Sequence, residues 1–147
     1  MKYDYHESMK LSNQFCFPIY AAARYIIQLY TPILKPLGLT YTQYLVFLVL
    51  WEKDGVSVGD ICEKLKLDNG TVSPVLKKLE SQEYIFRKRC ENDDRVVIIT
   101  LSEKGKLLQE KAKEVPEKVA CNANMPLEKA KELKSLLYEL LDSKKNI

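Results

Sequence analysis

The stretch from Val56 to Leu101 constrains the fold of this chain more than any other. Val58, Ile61, Cys62 and Leu65 recur at helical spacing, and Asp68-Asn69-Gly70 then punctuates the pattern. Val72, Val75, Leu76 and Leu79 mark a second amphipathic helix, whose other face carries Gly70, Pro74, Lys77 and Ser81, flanked by Thr71, Ser73 and Lys78. Small residues admit close approach to base edges, hydroxyls bond to bases or phosphates, and lysines meet the backbone. A helix entering the major groove needs that arrangement. Two β-rich runs, 84–90 and 95–101, flank the turn Glu91-Asn92-Asp93-Asp94 and predict a hairpin. The expected class is therefore mainly α with a small β-hairpin wing, a winged helix-turn-helix, and the expected partner is double-stranded DNA.

Totals bound this reading without making it. At 147 residues the chain fits a single domain with its own core, and 46% hydrophobic and 29% charged residues argue against disorder. A net charge of +3 permits nucleic-acid binding but does not demand it. Between Lys77 and Arg95 six basic residues meet five acidic ones, so a DNA footprint has to come from geometry. The N-terminus has no apolar h-region and the longest apolar run, Tyr44 to Trp51, is too short to span a bilayer. The expectation is a cytoplasmic protein with no membrane partner, in a compartment where thiols stay reduced. Cys16, Cys62, Cys90 and Cys121 form no C-x-x-C pair and His6 is the only histidine, so neither a metal site nor a cofactor is expected.

In chain order, residues 1–10 read as a loose polar arm. A long helix is expected from Leu11 to about Tyr30, capped at Ser12 or Asn13, with Pro18 one turn inside and an end or bend at Pro32. Cys16, Tyr20, Ala23, Ile27 and Tyr30 fall on one of its stripes. Thr40 to Glu52 reads as the buried centre, with Tyr44, Leu45, Phe47, Leu48 and Trp51. Beyond the wing, Ser102 caps a helix whose Leu108, Ala112, Val115 and Val119 share a face despite Pro116. Residues 121–124 read as a break, and Pro126 as the first turn of a final helix. A winged helix of 56–101 cannot cover the apolar faces of 11–34 and 102–143. The simplest solution is a homodimer in which these helices interleave, presenting two reading helices to a palindromic site.

Along nearly its whole length the chain resembles the MarR family of winged-helix repressors, and within it the thiol-based branch typified by organic hydroperoxide resistance regulators. The matching residues are Asn13-Gln14-Phe15-Cys16-Phe17 with Tyr20 and Tyr30, then Leu39 to Leu45, Leu50-Trp51-Glu52, Leu67 to Glu80, and Asp93-x-Arg95 at the wing. The resemblance implies that Cys16 is a peroxide-sensing thiol oxidised to a sulfenic acid. It implies too that tyrosines at the positions of Tyr20 and Tyr30, donated by the partner subunit, bond to that sulfur. Two-cysteine members of the family form a disulfide between subunits, and Cys121 stands about where their second cysteine lies.

Each residue also has a plainer reading. Cys16 could fill an apolar stripe, although a helix N-terminus favours an anion such as a thiolate, and Phe15, Phe17 and Ile19 would favour an organic hydroperoxide. Tyr20 and Tyr30 could be interface aromatics, Cys121 an inert turn residue, and Cys62 and Cys90 incidental. Candidate DNA contacts are Asn69, Thr71, Ser73, Lys77, Lys78, Arg87, Arg89 and Arg95. Arg95 would enter a minor groove, oriented by Asp93 and Asp94, and Arg87 and Arg89 share one side of their strand. The leading expectation is a dimeric repressor that leaves its operator when an organic hydroperoxide oxidises Cys16. The alternative is a MarR-type repressor released by small aromatic or phenolic ligands. A thiol peroxidase is disfavoured, because no second thiol or histidine base adjoins Cys16, and no catalytic residue is expected.

Overall fold

The centre of the fold is a helix with no polar face. In the computed structural model, which describes residues 5–90 and 93–143, this is α3 (Tyr41–Glu52). Thr40 starts it with a reciprocal cap: its Oγ1 accepts from Gln43 N at 3.3 Å, and Gln43 Oε1 accepts from Thr40 N at 2.9 Å. Tyr44, Val46, Phe47, Val49 and Leu50 are buried on all sides of the helix. Each large side chain so removed from water stabilises the fold by about 1.5–3 kcal/mol. Leu48, read as central, is the exception and stays exposed.

Two helices precede α3. A single turn, α1 (Tyr5–Ser8), and a 3₁₀ turn (Leu11–Asn13) lead into α2 (Cys16–Leu34). Ser12 and Asn13 therefore do not cap the long helix, which begins at Cys16. Pro18 becomes its third residue, where the missing N–H would have had no helical partner, so the proline is tolerated. The helix also runs through Pro32 to Leu34 instead of ending before it. Of the arm expected at 1–10, residues 1–4 lie outside the described residues, Tyr5–Ser8 forms the α1 turn, and Met9 and Lys10 link it to the 3₁₀ turn.

The winged-helix unit follows. Asp54 Oδ1 accepts from Gly55 N at 2.9 Å and from Leu101 N at 2.8 Å, tying the turn to the sheet. Gly55 takes φ +71°, a left-handed conformation that costs other residues more. Strand β1 (Val56–Ser57) pairs with β3 (Asp93–Leu101), which pairs with β2 (Ile85–Cys90), all antiparallel in the order β1-β3-β2. Helix α4 (Val58–Leu65) ends at Lys66 in the left-handed region, and α5 (Asn69–Ser81) begins after Asp68. Asn69 and Gly70 are thus the first turn of the reading helix and not a break before it. Ile61, Val72, Leu76 and Leu79 are buried, as their spacing requires. Asp93 and Asp94 belong to β3, past a register shift between Arg89 and Cys90, whereas the expected turn residues Glu91 and Asn92 lie outside the described residues.

Past the wing, Ser102 Oγ accepts from Gly105 N at 3.1 Å and caps α6 (Glu103–Ala112). The helix expected to pass Pro116 is two: α7 (Val115–Ala123) starts afresh with the proline in its first turn. Cys121 and Asn122 lie within α7, and the break comes at Asn124, φ +47°. Pro126 precedes the last helix, α8 (Leu127–Ser143), its carbonyl accepting from Ala130 N at 3.0 Å. Leu108, Ala112, Val115 and Val119 join the same core as α3 and α5. Helix α8 buries none of its residues in the protomer.

Candidate functional site

Two surfaces carry the residues singled out in the sequence. The first is the reading helix and wing. Asp68 caps α5: its Oδ1 accepts from Thr71 N at 2.8 Å and its Oδ2 from Thr71 Oγ1 at 3.0 Å. These bonds, the backbone one foremost, hold the Asp68 carboxyl below the usual carboxylate range. The Thr71 hydroxyl proton is therefore committed to the cap. Ser73 donates to Asn69 Oδ1 at 2.6 Å, which fixes the Asn69 amide and directs its nitrogen away from that bond. Lys77 and Lys78 are exposed further along, with no ion pair among the described residues.

At the wing, Arg95 has a side chain 92% exposed and held by one carboxylate. Its backbone N and Nε donate to Asp93 Oδ1 at 3.0 and 3.1 Å, and Nη2 to Oδ2 at 3.3 Å. The Arg95 side chain, then its backbone amide, hold the Asp93 carboxyl below its ordinary value. The Asp94 side chain is outside the described residues. Arg89 is exposed, but Arg87 turns inward. Its Nη1 lies 3.5 Å from Glu80 Oε2 on α5, its side chain is 23% exposed, and its Nε is buried with no partner. Arg87, Arg95, Asn69, Ser73 and the half-buried Cys62 line one groove of about 620 Å³ between the reading helix and the wing. Cys90 is likewise half-buried, at the end of β2.

The second surface is α2. Cys16 is its first residue and is exposed, beside Phe15, itself 74% exposed, and Phe17. Tyr20, one turn on, accepts a hydrogen bond at its hydroxyl from Arg24 Nη1 at 3.3 Å. Tyr30 is a further ten residues along, about 21 Å from Cys16 at 1.5 Å per residue. Its ring packs on Tyr41 at 4.8 Å and Tyr44 at 5.8 Å, and burial raises its phenol above the ordinary value. Within one protomer Tyr20 is thus one helical turn from Cys16 along α2, and Tyr30 nearly four turns. Cys121 is exposed on α7 beside Ile33, near the opposite end of α2, so it does not meet Cys16 within a chain, and all four thiols are free.

Sequence reasoning missed Tyr41. It packs on Tyr30 and, with Pro18, Ile19 and Ala23 of α2 and Leu133 and Leu137 of α8, lines an apolar cleft of about 480 Å³. Its place as the first residue of α3 puts it at the joint between the long helix and the winged unit, which spacing alone does not reveal.

Known proteins share this fold. The family model described as "Transcriptional regulator SarA/Rot" matches residues 28–115. The organic hydroperoxide resistance transcriptional regulator of Bacillus subtilis (strain 168) is 45% identical over 137 residues, 93% of either chain. Among solved structures, reduced AbfR bound to DNA matches at 37% identity and a TM-score of 0.77, covering 95% of this chain and 96% of that one. AbfR, from Staphylococcus epidermidis, is also solved with a disulfide formed; that form matches at 38% identity and a lower TM-score, 0.64, over 92% of this chain and 96% of that one. No single helix among the described residues is long and apolar enough to cross a membrane. The chain belongs to the SarA/Rot family of transcriptional regulators, with the winged-helix, MarR-type fold that its sequence resembles.

Proposed function

We propose that this chain is a homodimeric, cytoplasmic DNA-binding repressor that senses organic hydroperoxides through Cys16 and leaves a palindromic operator when that thiol is oxidised. The observation that carries the reading is the setting of Cys16: an exposed thiol at the first residue of an apolar helix, with a tyrosine one turn away. Phe15 and Phe17 beside it supply a surface that suits an alkyl or aryl hydroperoxide better than hydrogen peroxide. The Bacillus relative is named for organic hydroperoxide resistance, and AbfR has been solved reduced on DNA and in a disulfide form.

Dimerisation is supported by what the protomer leaves uncovered. Tyr20, Tyr25 and Ile27 of α2 and Leu136, Tyr138 and Leu141 of α8 are all exposed, large apolar side chains on two helices that a second copy would cover. Residues 11–34 and 102–143 are accordingly assigned to the dimer, with 56–101 as the DNA-binding lobe of one domain. A second copy is also what would carry Tyr30 to a Cys16 sulfur that its own chain keeps it from. On the DNA side, Asn69, Thr71, Ser73, Lys77 and Lys78 face the major groove, Arg89 the backbone and Arg95 the minor groove, with Asp93 in support. Arg87 acts from inside the groove between helix and wing. The test is a gel shift on DNA upstream of the chain's own gene: Cys16→Ser should bind like wild type and stay bound in cumene hydroperoxide. Undiminished release by the oxidant would sink the assignment.

The apolar cleft lined by Tyr41, Leu133 and Leu137 favours a second reading, in which a small aromatic ligand loosens the DNA complex. Dithiothreitol separates the two, since it reverses release by oxidation and leaves release by a ligand unchanged.

A further inference from the structure

Among the described residues, three helical segments close with the same pair of backbone bonds. One residue past the helix donates its N–H to the carbonyl three back, and the next residue donates to the carbonyl five back. Gly38 and Leu39 do this at 3.0 and 3.3 Å, Lys66 and Leu67 at 3.2 and 3.0 Å, and Glu83 and Tyr84 at 2.8 and 3.0 Å. The first residue of each pair is left-handed, with φ of +68°, +55° and +62°. Glycine adopts that conformation freely, as at Gly38, whereas a side chain strains it. Lys66 follows α4 and Glu83 follows α5, so the two strained positions bracket the reading helix. Of the two lysines at the end of α4, Lys64 is turned back to Glu52 at 2.7 Å. Lys66 is exposed and pairs with no carboxylate among the described residues. Asn69, the first residue of α5, stands three residues on, at most about 11 Å along the chain. In a helix-turn-helix the first helix crosses the DNA backbone and the second enters the groove, so the turn between them passes beside phosphates. Asp68 in that turn carries a carboxylate held ionised by Thr71, which would repel them. A cation two residues away offsets the repulsion.

We propose that Lys66 contacts a DNA phosphate at the turn before the reading helix, and that its strained backbone serves this contact and not the fold of the protomer. The inference rests on the reading of α5 and the wing as the DNA-binding surface. Folding alone would favour glycine at position 66. Glycine removes the left-handed strain, and Lys64 still leaves a cation in the last turn of α4. What glycine cannot supply is a charge for the DNA backbone. The contact carries no sequence information, because a phosphate is the same beside every base pair. It adds to affinity and to salt dependence, and it fixes how α5 enters the groove. Glu83 provides the contrast. It has the same pair of bonds and nearly the same φ, but it lies beyond the far end of a 13-residue helix about 20 Å long, and its side chain is an anion.

The experiment measures binding of the full-length reduced protein to two labelled duplexes, one from upstream of its gene and one of random sequence, over a series of salt concentrations. Lys66→Gly should bind both about tenfold more weakly at about 100 mM salt, and should lower the slope of log affinity against log salt by about one unit for each bound protomer. Lys66→Arg, which keeps the charge, should keep the wild-type slope. Lys66→Gln, which keeps the strain and loses the charge, should behave as Lys66→Gly does. In urea, Lys66→Gly and Glu83→Gly should both unfold at a midpoint no lower than that of wild type, and Glu83→Gly should keep the wild-type slope on DNA. A wild-type slope in Lys66→Gly overturns the proposal; a midpoint lowered at the same time would assign the lysine to the end of α4 instead. An equal loss of slope in Glu83→Gly overturns it too, since glycine and not charge would then be responsible. Should Lys66→Gly fail to fold, the slope of Lys66→Gln decides alone. Arg95→Ala tests the reading beneath: binding of the upstream duplex at wild-type strength would remove the assigned surface, whereas a failure at Lys66 alone leaves it standing.

Discussion

The wing arginine shows how one carboxylate can prepare a side chain for DNA. Three bonds to Asp93 hold Arg95 in a fixed fork while its side chain remains almost wholly exposed. Arg95→Ala should weaken DNA binding by about tenfold to a hundredfold, the range for an arginine reading a groove. The Asp93 carboxyl has its pKa depressed, so its contact with Arg95 is complete above the ordinary carboxylate value and is lost as pH falls through the lowered one. Affinities of wild type and Asp93→Asn should therefore differ at neutral pH and converge in acid, in titrations at constant salt. A gap that persists in acid would mean that Asp93 acts other than as a carboxylate. At this level the sequence was a good guide where a residue stands on a regular stripe, as Val72, Leu76 and Leu79 do. It was a poor guide to Arg87. Period-two alternation put Arg87 beside Arg89, but Glu80 on a different element draws it inward, and that contact is tertiary.

Between elements, the root of the wing is joined by a chain of hydrogen bonds. The Tyr84 carbonyl accepts from Ser102 N and from Ser102 Oγ, both at 3.0 Å, and Ser102 Oγ in turn caps α6. Trp51 Nε1 donates to the Gly105 carbonyl at 3.1 Å, fastening α3 to the same point. A Cβ at Gly105 would lie 2.3 Å from the Tyr84 oxygen, so backbone must move to admit one. Gly105→Ala should lower unfolding stability by about 1–3 kcal/mol, as forced overpacking does. Urea denaturation measures it, and an unchanged midpoint would show the joint to be looser than its distances imply. Helix starts were legible when a side chain caps them, as Thr40 and Ser102 do. The start of α2 was not, because Phe15 offers no side-chain cap and a 3₁₀ turn occupies the polar residues before it. The split of α6 from α7 was missed for a related reason: Leu108, Ala112, Val115 and Val119 keep burying one face across the break.

Taken together, the protomer is half of a machine. Its core closes around α3, yet α2 and α8 leave their apolar faces to water, and Cys16 lies far from both Tyr30 and Cys121 on its own chain. Any Cys16–Cys121 disulfide must then join two chains. Oxidised protein should run as a dimer on a non-reducing gel and as a monomer for Cys121→Ser; a disulfide mapped within one chain would contradict the assembly. The fold was legible from one amphipathic pattern because a winged helix is local in sequence. The assembly was legible only as surplus apolar surface, since a partner leaves no other mark on one chain. The most direct test of the central claim uses a variant with Cys62, Cys90 and Cys121 all replaced by serine. Fluorescence anisotropy of labelled DNA from upstream of its gene would follow its response to stoichiometric cumene hydroperoxide. The account predicts release that tracks sulfenate at Cys16, and rebinding after dithiothreitol. Sulfenate at Cys16 with the DNA still bound, oxidant present in full, would contradict it.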